Sequence, residues 1–290
     1  MNLRGQLFEQ IALSAYTSWR VGGIASRCYK PADSSDLAQF LKALPHGEPI
    51  TWLGLGSNTL IRDAGLSGTV IFTQGALRNL QQIDQYCVKA EAGVGCAQLA
   101  RFCARQGLTG LEFLAGIPGT VGGALAMNAG CHGSETWSFV EKVETIRRSG
   151  ELIIRNPQEY HIGYRKVILP AEEGFVAGYF RLQPGTKEQA FARIQQFLEH
   201  RTATQPIDLP NCGSVFRNPP GDYAGRLIEA CGLKGWQIGG AAVSTKHANF
   251  IVNLGYANAS DIEQLINYIV DKVQKIKGIN LEHEVRIIGT

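Results

Sequence analysis

The run AGIPGTVGGALAMNAG at 115–130 constrains the fold more than any other part of the chain. So much glycine and alanine buries little side-chain area, and its use lies in letting main chain or ligand come close. The surrounding segment from Phe113 to Cys131 is 19 residues long and uncharged, the length of a membrane span. Five glycines, Pro118 and Asn128 interrupt it. A buried loop-and-turn segment is therefore expected, and no membrane insertion. A second glycine run, LGLGSNTLI at 53–61, reads as strand, glycine turn, strand. Glycine is frequent overall, 34 in 290 residues, against a usual share of about 7%. These glycines cluster rather than repeat, so tight loops around a ligand are the expectation.

Both runs leave main-chain N–H groups accessible, which suits a phosphate. The standard templates do not fit. The first run misses GxGxxG because Thr59 stands at the last position, and no GxxxxGK[ST] occurs. Ser57, Asn58 and Thr59 add neutral donors where a P-loop places lysine. A dinucleotide held largely by neutral hydrogen bonds fits this pattern; two purely structural turns are the plain alternative.

Composition narrows the class. A length of 290 residues allows two or three small domains. A net charge of +3 gives no argument for nucleic acid or a membrane surface. The seven cysteines form no CxxC pair, so neither a disulfide framework nor a metal site is indicated. Free thiols in a reducing cytoplasm are expected, and MNLRGQLFEQ has no apolar signal region.

Apolar periodicity predicts helices over 36–44, 97–106 and 187–201, the last with Phe191, Ile194, Phe197 and Leu198 inward. A further helix is predicted from Ser260, where S-D-I-E matches a capping box, to Gly278. Its inner face carries Ile262, Leu265, Ile266, Ile269, Val270 and Val273. Strands are predicted at 68–73, 87–93, 139–146, 151–155, 175–182, 248–254 and in the closing EVRII, with a boundary near Pro184. The class is α+β.

GLGSNTLI resembles the pyrophosphate loop of flavoproteins with the vanillyl-alcohol-oxidase type of FAD domain. GIPGTVGGALAMNAG, TSWRVGGIA, GYR, NCGSVFRNP, AGRLIEACGLKG, HANFIVN and LEHEVRIIG together resemble the UDP-N-acetylenolpyruvoylglucosamine reductase family, in family order from residue 17 to 289. The resemblance implies a two-part FAD-binding domain, 1–56 with 280–290 and then 57–185, plus a smaller α+β substrate-binding domain at 186–279. It implies non-covalent FAD, NADPH as co-substrate and a monomer. The implied reaction makes UDP-N-acetylmuramate for peptidoglycan: reduced FAD gives a hydride to C3 of the enolpyruvyl group, and C2 takes a proton.

The resemblance also assigns residues. Arg165 matches the catalytic arginine, suited to fork onto the substrate carboxylate. Glu284 matches the catalytic glutamate, which must hold a proton to bond an enolate. Ser214 matches the proton donor. FAD contacts are expected from Leu53, Gly54, Gly56, Ser57, Asn58, Thr59, Gly93, Gly116, Ile117, Pro118, Gly119, Gly122, Gly123, Asn128 and Gly130. Tyr164, Arg217, Asn218, Lys234 and Arg286 are candidate substrate contacts, and His132 and His247 are read as structural. Without the resemblance, a serine in a turn is more often a cap, and nothing in the spacing joins Ser214 to Arg165 or Glu284.

Two departures stand out. The family commonly has serine two residues after the arginine; here that residue is Val167. The short link between GYR and FVAGYFRL has no room for the tyrosine-bearing loop of one subclass, so the chain resembles the shorter type II form. An oxidase on the same fold and a non-catalytic nucleotide-sugar binder are the rival readings.

Overall fold

The computed structural model describes residues 3–170 and 172–290. They form two compact units. The first comprises residues up to 9, 27–55 and 68–200; the second comprises 10–26, 56–67 and 201–290. The division differs from the three-part reading at four places: residues 186–200 fall in the first unit, and 10–26, 56–67 and 280–290 fall in the second. Ala190 and Ile194 bury into the core of the first unit. Trp19 and Val21 lie in the core of the second.

The first unit is built on a five-stranded antiparallel sheet. Its order is Leu152–Arg155, Val140–Arg147, Glu173–Arg181, Cys87–Glu91, Leu80–Gln82. The central strand is nearly continuous in buried residues, as a strand covered on both faces must be. A four-stranded sheet runs Gln6–Ala12, Ile24–Lys30, Leu66–Phe72, Ile50–Leu53, its last pair parallel.

Helix α1 (Ser34–Ala43) starts at Asp33, whose carboxylate accepts from Asp36 N–H, and buries Leu37, Phe40 and Leu41. Helix α2 (Cys96–Arg105) and the short α3 (Val121–Met127) flank the glycine segments. Helix α4 (Lys187–Thr204) turns Ile194 inward but leaves Phe191 at the surface, contrary to the predicted face; Ala190 takes the inner position.

In the second unit, α5 (Ala224–Ala230) and α6 (Ala259–Lys277) accompany a three-stranded antiparallel sheet. That sheet runs Gln237–Ile238, Ala241–Val243, Ile251–Asn253. Arg286–Ile288 pairs in parallel with Thr59–Ile61. The inner face of α6 is as predicted, with Val270 half-buried, and Gly278 ends the helix at φ +69. The cap is not. Asn258 caps α6 and exchanges bonds with Asp261, while Glu263 is drawn off by Arg62 at 2.7 Å. No helix among the described residues is long and apolar enough to cross a membrane, and all seven cysteines are free.

One charge network is buried in the first unit. The Glu173 side chain is 1% exposed and takes Arg155 at 2.5 Å and Arg147 at 3.3 Å, with Thr145 Oγ1 donating at 3.0 Å. The bond from Arg155 is the leading cause that holds this carboxyl below its usual range, opposing burial. A depressed folded value stabilises the protein above the ordinary carboxylate range, and the gain is lost as pH falls through it. Glu173→Ala is expected to cost about 3 kcal/mol in urea unfolding at neutral pH. The gap to wild type should shrink in acid; a gap independent of pH would count against the network.

Candidate active site

Three glycine-bearing segments, distant in sequence, meet in the first unit. Val121 and Gly122 N–H donate to the carbonyls of Val94 and Ala92 at 2.8 and 2.9 Å, and Cys96 N–H donates to Gly119 at 2.9 Å. The fold itself requires several of these glycines. A Cβ on Gly93 would lie 1.9 Å from the Ala76 carbonyl oxygen, and one on Gly122 2.9 Å from the Ala92 Cβ. A Cβ on Gly54 would lie 2.5 Å from Thr120 Oγ1, so the two predicted loops touch there.

Gly116 and Gly123 differ. Neither has positive φ, a Cβ on Gly116 would meet nothing within 4 Å, and one on Gly123 would make only an ordinary 3.7 Å contact. Packing does not demand glycine at either position. Open main chain that the fold does not need is what a diphosphate-bearing cofactor requires, and these residues fit one.

In the second unit, Gly56 has φ +64 and sits 2.1 Å, at its would-be Cβ, from the Tyr16 carbonyl. The following Ser57, Asn58 and Thr59 are half-buried. Asn58 Nδ2 donates to the Glu284 carbonyl at 3.1 Å, and Arg286 N–H donates to the Asn58 carbonyl at 3.0 Å.

Arg165 lies in the first unit, in the turn of a hairpin pairing His161–Gly163 with Lys166–Ile168. Its backbone is left-handed, φ +54. Asn128 anchors the hairpin. It caps α3 at φ +43 and donates to the Gly163 carbonyl at 3.1 Å and to Glu135 at 2.8 Å. The Arg165 guanidinium donates to the Gly130 carbonyl and covers the exposed Tyr164 ring at 4.9 Å. Val167 is buried in the core, so the position where the family commonly carries serine serves packing here.

Ser214 lies in the second unit, half-buried after Gly213 at φ +74. The segment that bears it is clamped on both sides. Val215 N–H donates to the Asn249 carbonyl at 2.8 Å, and Glu284 N–H donates to the Val215 carbonyl at 2.8 Å. The buried Asn249 side chain also accepts from Phe216 N–H at 3.0 Å and donates to its carbonyl at 2.8 Å. Ser214 and Glu284 therefore sit on adjoining main-chain segments, with Asn58 bonded next to Glu284. Arg165 belongs to the other unit.

A cavity of about 370 Å³ opens at Ser214, lined also by Asn218, Tyr223, Arg226, Lys246 and His247. Asn218 Oδ1 accepts from Ala224 N–H at 3.1 Å, leaving its amino group as donor. His247 Nδ1 accepts from Asn249 N–H at 3.2 Å, and burial leads in lowering its pKa, so the ring is a neutral donor through Nε2. Two other expected substrate contacts form ion pairs: Arg217 with Glu282 at 3.5 Å, and Lys234 at 2.7 Å with Glu229, which also lines this cavity. His132 stacks on Phe197 at 4.3 Å. The sequence reading missed Asn249, Tyr223, Arg226 and Lys246. Asn249 alone had a signal, a polar residue inside the apolar run ANFIVNL, which burial obliges to find partners.

The two kinds of glycine give a test. Gly93→Ala should destabilise the protein by about 2 kcal/mol or more, because rigid main chain must move. Gly116→Ala and Gly123→Ala should melt like wild type yet retain less yellow cofactor, read as the 450 to 280 nm absorbance ratio. Full retention in both would remove the cradle reading.

Comparison with known proteins identifies the family. Residues 25–155 match the FAD binding domain model, and residues 205–288 match the C-terminal domain model of UDP-N-acetylenolpyruvoylglucosamine reductase. The UDP-N-acetylenolpyruvoylglucosamine reductase of Legionella pneumophila (strain Corby) is 56% identical over 287 residues, 99% of this chain and 93% of that protein. That of Methylococcus capsulatus is 56% identical over 286 residues, covering 99% and 94%. The crystal structure of the Thermus caldophilus reductase superposes with a TM-score of 0.83 at 34% identity, covering 99% of this chain and all of that one. The chain belongs to the UDP-N-acetylenolpyruvoylglucosamine reductase family, a family of FAD-dependent oxidoreductases.

Proposed function

We propose that Ser214, Glu284 and Arg165 divide the proton and charge work of the family's reaction in this chain. The reaction reduces the enolpyruvyl group of UDP-N-acetylglucosamine enolpyruvate to give UDP-N-acetylmuramate, a peptidoglycan precursor. FAD, reduced by NADPH, supplies a hydride to C3 of that group when bound. Leu53, Gly54, Gly93, Gly116–Gly119, Gly122, Gly123, Asn128 and Gly130 of the first unit, and Gly56–Thr59 of the second, are the residues that would hold it.

The remaining chemistry falls to side chains. Electrons arriving at C3 leave negative charge at C2, spread into the adjoining carboxylate. The Arg165 guanidinium pairs with that carboxylate and stays charged at any working pH. A proton on Glu284 hydrogen-bonds the enolate. The Ser214 hydroxyl then gives its proton to C2, forming the C–H bond, and the oxygen recovers a proton from the water-accessible cavity. A serine is a weak acid, but a carbanion at C2 is a strong enough base to take its proton. Asn218, which lines the cavity, and the neighbouring Arg217 would meet the diphosphate of the substrate, with Tyr164, Lys234 and Arg286 as further substrate contacts.

The observation that carries this reading is the 2.8 Å bond from Glu284 N–H to the Val215 carbonyl, which brings the main-chain segments of the acid and the serine side by side and so supports their pairing. The nine residues between Arg165 and Phe175 leave no room for the tyrosine-bearing loop and support the type II form, and seven free thiols support a reducing, cytoplasmic setting. The enzyme acts as a monomer in this reading.

Stopped-flow separation of the half-reactions is the test. In Ser214→Ala, NADPH should reduce the flavin at the normal rate, while reoxidation by substrate falls about 10²- to 10⁴-fold. Unchanged reoxidation would remove Ser214 from the mechanism. Glu284→Gln, which keeps a donor, should lose about tenfold less activity than Glu284→Ala; equal losses would mean that no proton on Glu284 is used.

A further inference from the structure

Arg20 stands in an unusual place for an arginine. It is exposed, has φ +59, and closes a turn through its N–H to the Thr17 carbonyl at 3.1 Å. A left-handed backbone is unfavourable for a side chain with Cβ, and glycine or asparagine would occupy it freely. The turn cannot relax. Thr17 Oγ1 donates to the Val21 carbonyl at 2.7 Å, and the buried Trp19 donates through Nε1 to the Ile251 carbonyl at 2.7 Å. Asn253 Nδ2 donates back to the Trp19 carbonyl at 2.8 Å. Nothing in this scaffold requires a cation. Among the described residues, Arg20 forms no ion pair or side-chain hydrogen bond.

The turn is fastened to the glycine loop of the same unit. Ser18 N–H donates to the Gly56 carbonyl at 3.1 Å, and the would-be Cβ of Gly56 lies 2.8 Å from the Thr17 Cα. The loop that follows, Gly56-Ser57-Asn58-Thr59, carries no charge of its own. A diphosphate bound by neutral donors alone leaves its charge uncompensated, and a guanidinium is the group suited to it.

We propose that Arg20 is a diphosphate anchor for bound FAD. The rigid Thr17–Arg20 turn holds its cation beside the Gly56–Thr59 loop, which supplies the neutral donors. The left-handed strain persists because the anion, not the fold, selects arginine there. The proposal rests on Gly56–Thr59 being cofactor contacts, and it makes the cofactor site partly ionic where the sequence reading saw neutral bonds.

The test follows FAD release from holoenzyme diluted to nanomolar concentration, by the rise in flavin fluorescence, in Arg20→Gly and Arg20→Lys. Glycine suits the left-handed backbone, so Arg20→Gly should melt like wild type. It should hold FAD about tenfold or more weakly, the scale of one charge-assisted hydrogen bond, and Arg20→Lys should recover part of the loss. Added salt should weaken FAD retention in wild type more than in Arg20→Gly. UDP binding is the second arm. Unchanged FAD retention in Arg20→Gly overturns the proposal, and if UDP affinity alone falls, Arg20 serves the substrate's diphosphate instead. A loss of FAD with the same salt response as wild type also overturns it. Ser57→Ala combined with Asn58→Ala separates the underlying reading: normal FAD retention in that folded variant would reject the loop as a cofactor contact, independently of Arg20.

Discussion

Main chain lying directly on main chain is the constraint that the first unit depends on. The segments Ala92–Cys96 and Gly119–Gly122 exchange three backbone hydrogen bonds. That approach is possible only where Cβ atoms are missing or small, as at Gly93 and Gly122. Once it is made, the Thr120 cap, the start of α3 and the open surface at Gly116 are fixed in place. The same economy operates in the second unit through asparagine rather than glycine. Asn249 imitates a strand partner for Phe216, and Asn253 ties the Trp19 turn to the sheet. Buried amides can do this because each supplies both donor and acceptor, leaving no orphan group behind.

Much of this was legible from residues, and the failures have identifiable causes. The inner face of α6 follows from helical spacing alone. Its start was misplaced because Asn258 and Ser260 are both good caps, and the choice fell to whichever acid stayed free. Arg62, some 200 positions earlier in the sequence, removed Glu263 from that competition. Phe191 was read as inward on hydrophobicity, yet the small Ala190 fits closer to the core. Propensity does not register which of two neighbours the partner surface can accept.

The site was legible in a different way. Motif resemblance named Ser214 and Glu284, and the backbone bond from Glu284 to Val215 puts their segments side by side, which spacing could not foretell. The cavity residues Tyr223, Arg226 and Lys246 come from loops and a helix start whose convergence depends on the clamp around Val215. Local sequence held no trace of it. Nor did any propensity mark Arg165 and Arg20 as left-handed, since the conformation is set by surrounding hydrogen bonds and runs against the residue type.

The seven residues of α3 form a short rod with a different task at each end. Its first turn begins at the glycine cradle, and its left-handed cap, Asn128, grips the hairpin that bears Arg165. Adding or deleting one residue within such a rod would turn its far end by about 100° and carry it about 1.5 Å along the axis. Asn128 would then face away from Gly163, and the guanidinium would lose its footing although neither arginine nor cradle had been altered. The length of α3 is thus a functional quantity. Insertions that the exposed turn at Gly47 could absorb should be filtered out between Val121 and Met127 as strictly as a change of the arginine itself.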